Sequence, residues 1–161
     1  MNRWIPRILA LAALALATSA TAVAADDADA PARKIAEKVT TEGAAIFDTF
    51  DAHAMAATYA DDAVLTLYKK EDGKLVREVR EGRAAVEAAY AELFKNPETI
   101  KSRNTVEHAR LVSPDVLTIG GVFDTNSLKP DSIKVPFHQV RREKDGKWAI
   151  ASMEIYLTFG K

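Results

Sequence analysis

Apolar residues recur at three- and four-residue spacings from Ala32 onward. Ile35, Val39, Ile46, Phe47 and Phe50 fall largely on one side of a helix. Asp51 is placed to cap a second, short helix carrying Met55 and Tyr59. At Ala63 the period changes to that of a strand. Val64 to Tyr68 is β-rich, Glu71-Asp72-Gly73-Lys74 is a turn signal, and Leu75, Val76 and Val79 continue beyond it, so the segment predicts a hairpin. Glu81-Gly82 ends it. Val86, Ala89, Tyr90, Leu93 and Phe94 then form the stripe of a third helix, stopped by Asn96-Pro97. The remainder predicts four strands: Ile100–Val112, Val116–Thr125, Ile133–Arg142 and Trp148–Phe159. The Gly120-Gly121 pair suggests a bulge or bend in the second of these.

Helix, helix, hairpin, helix and four strands joined by short turns predict an α+β architecture. A twisted antiparallel sheet, curled by a bulge, covers its apolar face with the three helices of the N-terminal half. A curled sheet closed by helices forms a cone-shaped barrel, and the concavity at its wide end is a candidate ligand cavity.

The first 25 residues have a different pattern. Arg3 and Arg7 precede an apolar run from Ile8 to Ala17, and small residues from Thr18 to Ala25 follow, with Ala22-Val23-Ala24 fitting an A-x-A cleavage rule. This order predicts a secretory signal peptide, hence a periplasmic or secreted protein cut after Ala24 or Ala25. The apolar run is about half of the roughly 20 residues that span a bilayer. Asp26 to Pro31 is an acidic, alanine-rich lead-in, expected to be disordered, and 32–161 is a single domain. The signal holds two of the 22 Lys and Arg residues and none of the 23 acids. The mature chain is therefore weakly acidic, which argues against a nucleic-acid partner. There is no cysteine, so neither disulfides nor a thiolate metal site can form.

Three phrases resemble a known group. Tyr59-Ala60-Asp61-Asp62-Ala63-Val64, Glu81-Gly82-Arg83-Ala84-Ala85-Val86 and Asp145-Gly146-Lys147-Trp148-Ala149-Ile150 are similar, in order and spacing, to phrases of the nuclear transport factor 2-like superfamily. That group includes SnoaL-like and DUF4440-like domains, ketosteroid isomerases and scytalone dehydratases. The resemblance covers essentially the whole mature chain and implies the cone fold and a homodimer through the outer face of the sheet. It also locates isomerase positions here. The catalytic aspartate falls on Leu67 and the oxyanion-hole tyrosine on Gly43, neither of which can do that chemistry. A second tyrosine matches Tyr90, and the Pro-x-Asp phrase matches Pro136-Phe137-His138, which would put His138 in the cavity.

Histidine exchanges protons near neutral pH, so His138 is the candidate catalytic residue. Tyr59, Leu67, Tyr90, His138 and Glu154 are the candidate ligand-binding residues. Strict alternation puts Trp148, Ile150, Ser152, Glu154 and Tyr156 on one face of the last strand and Met153, Ile155 and Leu157 on the other. Which face lines the cavity is open, and a bulge would exchange them. Asp61-Asp62 reads as a structural junction, and Arg141-Arg142 with Lys144 as a solvated strand end. His53, His108 and His138 lie far apart and there is no Gly-rich phosphate loop, so no metal and no cofactor are expected. The leading expectation is an exported domain binding a small, apolar organic molecule in a largely apolar cone. The alternatives are a non-catalytic dimeric interaction module and an isomerase or dehydratase using His138.

Overall fold

The computed structural model describes residues 29–157. The expected signal peptide, residues 26–28 of the lead-in and the last two residues of the expected final strand lie outside that range. Helix α1 runs Ala30–Phe47, with Pro31 in its first turn, where a missing N–H costs nothing. Ala30 and Pro31 thus belong to the helix, not to the lead-in. Helix α2 is Ala52–Ala56; the Asp51 carboxylate caps it, accepting from the Ala54 N–H at 2.9 Å. Strands β1 (Tyr59–Glu71) and β2 (Lys74–Glu81) form the hairpin, α3 is Arg83–Leu93, and β3 (Arg103–Ser113), β4 (Val116–Asp124), β5 (Lys134–Lys144) and β6 (Lys147–Leu157) complete the chain. Tyr59 opens β1 instead of closing α2.

The six strands make one sheet in the order β2-β1-β6-β5-β4-β3. All neighbours are antiparallel except β1 and β6, which run parallel. Two turns keep their register: Asp72-Gly73 and Asp145-Gly146 all have positive φ, the geometry of two-residue hairpin turns that twist with the sheet.

The glycine pair does not bulge its own strand. β4 pairs with β5 without a break from Val116 to Asp124, and the irregularity lies opposite, in β3 between Val106 and His108. The glycines make room for neighbours. A Cβ on Gly120 would meet the His108 ring at 2.0 Å, and one on Gly121 would meet the Thr105 carbonyl oxygen at 2.2 Å.

The buried stripe of α1 is Ala32, Ala36, Thr40 and Ala44, not the larger residues that the spacing singled out. Small side chains let the helix approach the sheet closely; Ile35, Val39, Ile46 and Phe47 sit beside the contact, half-buried. Likewise Val86, Tyr90 and Phe94 of the third-helix stripe are buried, while Leu93 is 62% exposed. Two apolar clusters result. Met55, Tyr59, Leu65, Val86, Tyr90 and Ile150 form one, and Ala36, Leu117, Ile119 and Phe137 belong to the other. Phe47 bridges them, edge-on to Phe94 at 5.2 Å and to Phe123 at 4.9 Å. No helix of the described residues is long and apolar enough to cross a membrane.

Candidate functional site

Strand alternation sends Val135, Phe137, Gln139 and Arg141 of β5 inward, and all four are buried. In β6 the pairing shifts between Val140↔Ser152 and Arg141↔Ile150, which makes Ala151 an extra residue. That bulge exchanges the faces partway along the strand. Trp148 and Ile150 therefore join Met153 and Ile155 against the core, and Ser152 and Glu154 turn outward.

Between α1 and the β5–β6 hairpin lies a cleft of about 470 Å³. Ile35, Val39, Gly43 and Ile46 of α1 wall one side, and Trp148 closes the other. Lys38, Glu42 and Lys147 also face it, with Thr58 and Arg141. The lining is mixed, with aliphatic and indole surface beside charged side chains. Its breadth follows from α1: the small-residue stripe docks the helix, and Gly43, which has nothing within 4 Å of where a Cβ would be, leaves the wall open.

Arg141 is 4% exposed. Its Nε donates to Gln139 Oε1 at 2.9 Å and its Nη1 to the Trp148 carbonyl oxygen at 3.0 Å. Among the described residues no carboxylate comes within salt-bridge distance of it. Burial pulls the guanidinium pKa down to about 10, against the opposing influence of Tyr59 and Glu42. It remains a cation at neutral pH. The expectation of a solvated strand end holds for Arg142, which is exposed and pairs with Asp62, and fails for Arg141, which shares the phase of Phe137. Asp61 pairs with Arg83 at 2.7 Å, so both members of the acidic pair serve the junction.

Of the candidate residues, Tyr59 and Tyr90 meet. Their hydroxyls are 2.9 Å apart. Burial raises the pKa of both phenols, Tyr59 well above the usual range with Tyr90 adding to the shift. Both are neutral hydroxyls at neutral pH. Leu67 packs at the edge of the same cluster. His138 does not join them. Phe137 takes the inner position, so His138 faces outward between its cross-strand partners Gly120 and Glu154. Its ring stacks on that of His108, centroids 6.3 Å apart. Glu154 lies on the same outer face and accepts from the Tyr156 hydroxyl at 2.9 Å. The cavity position expected for His138 is thus corrected: it and Tyr90 are on opposite sides of the sheet, and the Pro136-Phe137-His138 match is out of phase with the fold. Gly43 lies on the cleft wall.

Sequence reasoning missed Arg141. The signal was present in the inward run Val135, Phe137, Gln139, where period-two alternation leads to it.

No family model matches the sequence, and no curated protein matches it. Solved structures do. A Xanthomonas campestris protein described as a calcium/calmodulin-dependent protein kinase II association domain is 24% identical, with 80% of this chain and 89% of that one aligned at a TM-score of 0.59. An NTF2-like protein of unknown function from Shewanella oneidensis is 19% identical over 78% and 98%, TM-score 0.58. A ketosteroid isomerase-like protein from Erwinia carotovora atroseptica is 20% identical over 74% and 95%, TM-score 0.51. The chain adopts the NTF2-like fold, as the three phrases lead one to expect.

Proposed function

We propose that this chain is an exported small-molecule-binding domain, whose ligand occupies the cleft between α1 and the β5–β6 hairpin. The carrying observation is the cleft itself: about 470 Å³, lined by Ile35, Val39, Ile46 and Trp148 with charged side chains among them, including the buried Arg141. Small-molecule sites combine an apolar wall with a few placed polar groups in this way, at volumes of about 300–1,000 Å³. Binding is favoured over proton transfer because the acid–base candidates do not converge there. His138 and Glu154 face outward, and Tyr59 and Tyr90 hydrogen-bond to each other. The basic, apolar and small-residue order of residues 1–25 supports export. The outer sheet face, where Tyr68 stacks on Tyr156 at 5.1 Å, supports pairing with a second copy.

A thermal-shift screen of small metabolites against the chain and Gly43→Leu tests the reading. A leucine at Gly43 has room to form and projects into the cleft. A ligand at about one hundred times its dissociation constant adds about 2.7 kcal/mol of stability. That gain is expected in the parent chain and lost in Gly43→Leu. Equal gains in both would place the ligand elsewhere.

A further inference from the structure

The geometry points to an organic acid as the occupant of this cleft: a small carboxylate whose head group is held by the Arg141 guanidinium and whose body lies against Trp148, Ile35 and Val39. This inference rests on the cleft being the binding site and names the class of ligand.

A guanidinium carries five N–H donors in a planar fork. In Arg141 one on Nε and one on Nη1 are engaged. The donors left on Nη1 and Nη2 have no partner among the described residues, and Arg141 lines the cleft. A charge taken out of water needs both a counter-charge and hydrogen bonds. Here the protein supplies two neutral acceptors and no carboxylate within reach. Glu42, the acid facing the cleft from α1, stays beyond salt-bridge distance, and its charge is outnumbered by those of Arg141, Lys38 and Lys147.

A planar carboxylate matches the unused part of the fork: it accepts two parallel N–H bonds and neutralises the charge at once. The two engaged donors hold the guanidinium in place, so little orientation entropy is lost on binding. The buried tyrosine pair, near enough to Arg141 to feel its charge, is in neutral form. That pair therefore adds no negative charge against a carboxylate at Arg141. An uncharged ligand of the same shape would leave the guanidinium as it is, without a counter-ion.

The test is calorimetric titration of the full chain with phenylacetate against phenylacetamide, and with hexanoate against hexanamide. Each pair shares its skeleton and differs in charge. The acids are expected to bind at least about tenfold more tightly than the amides, as the loss of a hydrogen bond to a charged group implies, and Arg141→Gln should erase that preference. Because Arg141 is buried, its replacement can also cost the fold, so the comparison of acid with amide in the unaltered chain is the deciding one. Acid and amide binding equally, or no binding of either acid at millimolar concentration, overturns the carboxylate inference. The binding-site reading has its own solution test: it falls if no compound in the metabolite panel distinguishes the chain from Gly43→Leu.

Discussion

Arg141 and the Tyr59–Tyr90 pair are polar groups placed where burial opposes their charged forms, with opposite results. The guanidinium stays charged with its pKa pulled to about 10, while both phenols stay neutral with theirs raised. For Tyr59 this gives a pH dependence of known sign. The unfolded phenol ionises near pH 10, whereas the folded one keeps its proton to higher pH. Between those values the folded chain binds more protons, so this contribution to stability is full below pH 10 and declines as pH rises above it. Tyr59→Phe lacks the titrating group and also loses the hydrogen bond to Tyr90, about 1–3 kcal/mol at neutral pH when a buried hydroxyl is left unpaired. Denaturant unfolding should therefore show wild type more stable at pH 7, with its advantage shrinking above pH 10. An advantage that grows with pH would contradict the assignment. The pairing itself is not legible in the sequence. A tyrosine in a helical stripe predicts burial, whereas its partner hydroxyl comes from an element 31 residues away.

Among the elements, the two hairpin turns were the most legible, because Asp-Gly suits positive φ at both positions and few other dipeptides accept it. The phases of α1 and β6 were the least. In α1 the spacing highlights Ile35, Val39 and Ile46, yet Ala32, Ala36, Thr40 and Ala44 make the closest approach. Side-chain size reports burial only when the neighbouring surface has room. In β6 one extra residue, Ala151, reverses alternation midway, and no composition signal marks it. The closeness of α1 predicts an asymmetry between two single changes. Ala36→Leu forces bulk into a fully buried contact and should cost about 1–3 kcal/mol. Gly43→Ala adds a methyl where nothing stands within 4 Å and should stabilise by about 0.5–1 kcal/mol, since alanine loses less backbone freedom than glycine in a helix. Thermal unfolding of the two variants checks both signs.

For the whole molecule, the order of three helices, a hairpin and four strands was readable. The parallel joining of β1 to β6 was not, because it depends on where the chain returns after β2, α3 and three further strands. That join makes one continuous sheet, with the cleft on its helix-covered side and His108, His138 and Glu154 on the other. Those three line up with Gly120 across neighbouring strands on the face proposed to pair with a second copy. Light scattering at micromolar concentration should give twice the chain mass; a monomer would rule the pairing out. Export is checked by the N-terminus of the protein recovered outside the cytoplasm, expected at Ala25 or Asp26.

If the cleft beneath α1 is the ligand site and Arg141 reads the ligand, a crystal structure of the chain grown with phenylacetate is the most direct measurement. The aromatic ring is expected against Trp148, with the carboxylate within hydrogen-bond distance of the Arg141 guanidinium. Phenylacetate bound on the outer face beside His138, or an empty cleft in crystals of a chain that binds the acid in solution, would contradict both assignments.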